Sequence, residues 1–377
     1  MMRFKRFIIE STEEKEAKLR HLEHPEDHFL NVGEMGYHHA VNTLISTHNH
    51  LTGNKEGLKR LSLKVDGAPS IVAGIHPETK RFFVASKSAF NKTPKINYTD
   101  ADIDANHGKV PGLANKLKLA LKHLPKVIHS GIHQGDLIHD DTIKNAGKDS
   151  ISFKPNTVTH TIPTKSEEAK KIKSSKIGMA FHTSYSGKTF DSLKADYGKK
   201  PDFSDHKDVH LMDVSHDPSK VNYTGHHQKV FMLNIKRAEE LHKTKPYDAI
   251  APHGELLKQY VNHAIKTDEK KTSDGYRKFL ENKKGLPNAF NLQQHLDDNR
   301  EHFDNALKMH SHLEDAKNAL VHSLGKTHGD YTFSTNGKES KPEGFVAVTK
   351  DGRPSKLVHR GEFSKNNFLS GSFQKKK

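Results

Sequence analysis

A lysine set among apolar residues and followed at once by an acid and a glycine constrains this chain more than any other stretch. Leu61-Ser62-Leu63-Lys64-Val65 alternates as a half-buried strand does, and Asp66-Gly67-Ala68-Pro69 demands a sharp turn just after it. Lys64 is therefore expected at a strand end. A lysine is ordinarily protonated, with a reference pKa of about 10.4, and becomes nucleophilic only where desolvation or neighbouring cations favour loss of the proton. A strand end beneath a cleft supplies both conditions.

The apolar period stays near two beyond the turn. Ser70 to Gly74 continues as a strand, His76-Pro77-Glu78-Thr79 turns, and Arg81 to Lys87 returns as a hairpin partner. That pairing would bring Lys87 near Lys64, either as a second cation for a phosphate or as an ordinary strand-end lysine. Ala89 to Lys95 follows as a basic loop. Further strands are expected over Lys126 to Ile138, which holds Gly135-Asp136-Leu137, over Ile151 to Ile162, and over Lys176 to Tyr185. Asp100, Asp102 and Asp104 alternate like calcium ligands, but the glycine and closing glutamate of such a loop are missing. Gly112 to Leu124 reads as a basic amphipathic helix stopped by Pro125.

Helical spacing dominates elsewhere. Residues 11–60 hold two expected helices, the second from Gly36 to Ile45 and closed by Gly53-Asn54, with His48-Asn49-His50 at a solvated helix end. Residues 191–335 begin polar, pass through a short ordered piece at Val230 to Ile235, and become helical over Glu255 to Ile265, Ser273 to Asn282 and Leu292 to Leu324. The histidines at His206, His210, His216, His226 and His227 keep no fixed ligand spacing, so structural zinc is not expected of them.

A formal charge of +15 over 377 residues, with a pI near 9.5, favours a polyanionic partner, nucleic acid or the phosphates of a nucleotide. Cysteine is absent, which excludes disulfides and thiol catalysis. No apolar run reaches the length of a membrane span, and a cytoplasmic setting is the default.

With these residues in order, the chain resembles the covalent nucleotidyltransferase superfamily of ATP-dependent DNA ligases, RNA ligases and mRNA capping enzymes. Lys64-Val65-Asp66-Gly67 is similar to its Lys-x-Asp-Gly motif, Gly135-Asp136-Leu137 to its Gly-Glu-Leu motif, Lys176 to Tyr185 to its aromatic-bearing strand, and Glu343-Gly344-Phe345-Val346 to its Glu-Gly motif. Lys356-Leu357-Val358 stands where the family has Lys-x-Lys. The stretch also looks like that of ligase-like proteins of large tailed phages. Residues 1–10, with Ile8-Ile9-Glu10-Ser11, resemble the capsid-targeting peptides that phage prohead proteases remove; the other reading is a small amphipathic first helix.

The resemblance implies an α+β fold. An antiparallel-sheet nucleotidyltransferase core, the ligase adenylation domain, would occupy 61–190 and 336–368, with N-terminal helices over 11–60, a mainly helical insertion over 191–335 and a basic tail over 369–377. No oligonucleotide-binding barrel is expected after the last motif. By the same resemblance Lys64 attacks ATP, Asp66 and Gly67 shape its turn, and Asp136 accepts from the ribose. Phe181 or Tyr185 stacks on the base, Lys356 and Lys87 neutralise phosphate, and Glu343 helps hold Mg or Mn. Nucleic acid ends, RNA or DNA, would then be adenylated or sealed, in the host cytoplasm or packaged in the phage head. Pro69 replaces the arginine common in the family, Asp136 is one methylene short, and Val358 replaces the second lysine. These departures restrict the implication to lysine adenylation. The competing reading is a non-catalytic nucleic-acid-binding internal head protein that keeps the fold.

Overall fold

The structure, a computed structural model, describes residues 22–361 apart from 55, 219, 220 and 326. The proposed targeting peptide and the basic tail lie outside the described residues. The fold is α+β, and its strands pair almost throughout in antiparallel fashion. Contacts divide it into two units, one holding 62–216 and 326–343 and the other 22–61, 217–325 and 344–361. No helix of the described residues is long and apolar enough to cross a membrane.

The chain passes from the second unit to the first within strand β1 (Arg60–Lys64). In the first unit, β2 (Ser70–Ile75), β3 (Phe82–Ala85) and β4 (Ile132–Asp140) belong to one sheet. A second sheet takes β5 (Lys144–Ala146), β6 (Ser150–Phe153) and β7 (Thr159–Pro163). The chain then returns to the first sheet with β8 (Ile177–Ser186), β9 (Lys194–Asp196) and β10 (Val209–Leu211). Spatial order in the first sheet is β10-β8-β4-β2-β3, with β9 on β8, and β10 lies parallel to β8. The second sheet is completed by β11 (Thr327–His328), β12 (Tyr331–Thr335) and β13 (Lys338–Ser340).

Both faces of the first sheet are covered, which explains why β2 reads Ile-Val-Ala without a polar break. Ile71, Ala73, Val84, Leu137, Met179 and Phe181 pack with Leu117, Ala120 and Leu124 of the Pro111–His123 helix region. Val72, Phe83, Ile132, Tyr185, Phe190 and Leu193 fill the opposite face. The alternating aspartates are helical: Asp100–His107 begins in a capping box between Thr99 and Asp102.

In the second unit His28–Leu51 is two helices joined across a kink at Val32 and Gly33, and the longer one, after the kink, contains the helix expected over Gly36 to Ile45. His48 is not a solvated end. Its ring stacks on Phe231 at 4.8 Å, and Nδ1 lies 2.7 Å from the Tyr223 hydroxyl. Val230 to Ile235 is helical, inside Gly225–His242. The expected Leu292 to Leu324 helix is interrupted at Asn299, giving Ala289–Asp298 and Arg300–Ser323; Asp297-Asp298-Asn299 are residues whose side chains compete for backbone groups. Helices Gly254–Thr267 and Ser273–Asn282 form as expected. β14 (Gly344–Val348) and β15 (Pro354–Leu357) close the unit as an antiparallel pair, Val346 opposite Lys356.

Candidate active site

Lys64 ends β1 inside the first unit. The strand is held from behind by the Leu63 N–H, which donates to the Val214 carbonyl at 2.7 Å. Leu61, Ser62 and Leu63 are all buried, so the lysine emerges from a fully covered segment rather than a half-buried one. Its Nζ lies 2.5 Å from Oε1 of Glu343, with the two side chains 27% and 13% exposed. Burial raises the Glu343 pKa above the ordinary carboxylate value; Lys64 opposes that shift, while the charges of Asp66 and Asp136 reinforce it. Residues almost 280 positions apart in the sequence thus converge on one small cluster.

The Asp66 carboxylate is fully engaged. It accepts from Asn156 Nδ2 at 2.8 Å, from the Thr157 N–H at 2.6 Å and from the Val158 N–H at 2.8 Å. It therefore fixes the β6–β7 loop beside the lysine turn. Gly67 lies so close to β4 that an added Cβ would come 2.5 Å from the Asp136 Cβ. Two backbone bonds of 3.0 Å fasten the same turn, from the Ala68 N–H to the Leu137 carbonyl and from the Leu137 N–H to the Pro69 carbonyl. The Lys-x-Asp-Gly turn and Gly-Asp-Leu are thus locked together through the main chain. Lys116 Nζ lies 3.5 Å from the Ala68 carbonyl, which puts a cation on the turn after Lys64.

β4 and β8 pair with a register shift between Gln134 and Gly135, so that Gln134 faces Thr183 and Gly135 faces Phe181. His182 occupies the bulge, and its Nε2 lies 3.7 Å from Asp136 Oδ2. Sequence reasoning missed this residue because strict alternation across β8 gives it no such place. The same shift separates the two aromatic candidates. Phe181 is 5% exposed in the core with Leu117, its ring 4.7 Å from Phe203, on the face opposite Asp136. Tyr185 shares the face of Gln134 and Asp136, and its hydroxyl donates to Gln134 Oε1 at 2.5 Å.

Lys87 is exposed at the start of the 3-10 turn Lys87–Phe90, and no contact described for Lys64, Asp66, Asp136 or Glu343 involves it. Lys356 belongs to the second unit, where its N–H donates to the Glu23 carbonyl at 2.9 Å.

Lys64, Asp66, Val158, His160, Phe333 and Glu343 line a tight recess with no room for a water-sized sphere. Pockets for nucleotide-sized ligands run from about 300 Å³ upward, so the recess accommodates no adenosine phosphate as it stands. His160, 1% exposed, has neither ring nitrogen hydrogen-bonded, and burial pushes its pKa down to about 3. Asp136 and Glu343 offer hard carboxylate oxygens, mutually repelling and not saturated as Asp66 is, a donor set that fits Mg or Mn.

Fold and cluster define a mixed α+β protein with a strand-end lysine clamped by an acid and backed by two aspartates. Residues 19–371 match a family described as of unknown function (DUF6267), and the chain belongs to that family. No curated protein and no solved structure matches it.

Proposed function

We propose that the chain is a nucleotidyltransferase that accepts AMP on Lys64 from ATP and passes it to a nucleic acid end. The reading rests on one observation: Lys64 Nζ lies 2.5 Å from Glu343, with Asp66 and Asp136 near enough to act on the same carboxylate. In the reaction the neutral amine of Lys64 attacks the α-phosphorus. An N–P bond forms, the bond to the bridging oxygen breaks, and pyrophosphate leaves with the electron pair. The proton shed as the N–P bond forms leaves with the pyrophosphate or to water, because Glu343 has by then parted from the amine. Mg or Mn held by Asp136 and Glu343 would neutralise phosphate charge.

Two conditions attach to this chemistry. The Lys64–Glu343 pair must part to free the amine, and the narrow recess must widen or the base must lie along the Asp136 face of the sheet, towards Tyr185. The formal charge of +15 supports a polyanionic acceptor. The departures at Pro69 and Val358 keep the claim strongest for the first half-reaction.

The test is incubation with α-labelled ATP and Mg or Mn, followed by denaturing electrophoresis. Wild type should carry a covalent label that Lys64→Ala and Lys64→Arg both lose, the second keeping a cation opposite Glu343. An unlabelled wild type rejects the enzyme and leaves the non-catalytic nucleic-acid-binding reading, and label persisting on Lys64→Arg rejects Lys64 as the acceptor.

A further inference from the structure

Well away in sequence from the lysine site, the second unit gathers two imidazoles and a carboxylate. Glu34 and His38 stand one turn apart on the His28–Leu51 helix, and His242 is the last residue of Gly225–His242. One ligand atom from each lies within 4.8 Å of the others. Glu34 Oε1 is 3.8 Å from His38 Nε2 and 3.7 Å from His242 Nε2. In a tetrahedral zinc site, metal–ligand distances of about 2.0–2.1 Å place ligand atoms roughly 3.3 Å apart, so each Glu34–histidine pair needs to close by only about half an ångström.

The histidine on the second helix is held as a ligand needs to be. The His242 ring stacks on Tyr37 at 4.2 Å with the planes 4° apart, and its Nδ1 lies 2.5 Å from the Tyr247 hydroxyl. A hydrogen bond at one ring nitrogen fixes the orientation of the other, the usual support for a metal-bound imidazole. Gly33, with φ of +64°, breaks the helix immediately before Glu34, and a Cβ added there would come 3.6 Å from the Cβ of Tyr247.

We infer that Glu34, His38 and His242 form a zinc site with three protein ligands and a fourth position open to water or a small anion. Two nitrogens and one oxygen suit zinc better than magnesium or calcium. Lys245 also pairs with Glu34 Oε1, so its ammonium competes with the metal for that oxygen. An exposed lysine pair contributes little, and zinc displaces it. The competition gives the inference a signature that a plain ion-pair cluster lacks.

The experiment is competition between the full chain, stripped by chelator, and a chromophoric zinc indicator. Because the chain has 30 histidines, the reference is the double variant His38→Ala, His242→Ala. Wild type should bind one zinc per chain more than this variant. Each single histidine variant should weaken that zinc by at least about tenfold, with unchanged far-UV circular dichroism. Lys245→Met should tighten it several-fold, an outcome that loss of folding cannot imitate. Equal zinc on wild type and double variant, or no gain in Lys245→Met, overturns the site.

Discussion

The α-carbon of Gly67 sits so near Asp136 that a side chain's first carbon there would lie 2.5 Å from the aspartate Cβ and 3.0 Å from the Leu137 carbonyl. The turn after Lys64 is thus shaped by lack of room. Gly67→Ala must push the turn off β4 or displace Asp136, at a cost of about 1–3 kcal/mol. The variant should stay folded by circular dichroism, with a lower urea midpoint and little or no AMP label on Lys64. Full labelling would show that the packing of turn on strand does not matter to the lysine.

His160 should make stability depend on pH. The unfolded chain takes up its proton below the ordinary value of 6.5, but the buried ring resists until about 3. Its contribution is therefore present above pH 6.5 and lost as pH falls towards 3. At about 1.4 kcal/mol per unit, the loss by pH of about 4.5 is roughly 2–3 kcal/mol. Urea midpoints at neutral and mildly acid pH should fall less in His160→Leu than in wild type. His253, lowered to about 4 by burial and the nearby His295, remains in the variant, so the fall is reduced rather than abolished.

Lys317 and Glu26 form an ion pair with both side chains 0% exposed. Oε2 of Glu26 has no hydrogen-bond partner, so the pair is imperfectly compensated. Lys317→Met leaves the buried carboxylate with only the more distant Arg360 Nη1, at 3.7 Å, as a described cation partner, and should cost up to about 3–5 kcal/mol. The double variant Glu26→Leu, Lys317→Met removes both charges and should recover most of that loss, since apolar replacements of buried pairs are often neutral. Denaturant titrations of the two variants read the difference. A double variant no better than the single would assign the cost to lost shape instead of lost charge.

Much of the first unit was legible because its signals are local. The lysine strand, the β2–β3 hairpin and the helix beginning at Pro111 follow from apolar period and from proline or Asp-Gly punctuation. The Ser273–Asn282 helix was equally plain. Less readable were features set by partners distant in sequence. The bulge that brings His182 to Asp136 and turns Phe181 to the core depends on how β8 pairs with β4. The break at Asn299 was missed because the apolar spacing runs on across the polar Asp297-Asp298-Asn299, and the helical type of the ordered piece at Val230 to Ile235 stays open in the sequence because a short apolar run fits several periods. The triad of Glu34, His38 and His242 spans two helices, so only its Glu34–His38 half has a spacing to read.

The Lys64–Glu343 contact also bears on how the resting chain behaves in a crowd of reactive small molecules. An amine held against a carboxylate, in a recess too narrow for a nucleotide, is withheld from stray acylating agents and aldehydes. Selectivity would then begin before any base or phosphate is recognised. On the proposed reading, only a ligand able to pull the acid away from the amine would expose Lys64 as a nucleophile, and the contact would act as a safety catch on the lysine.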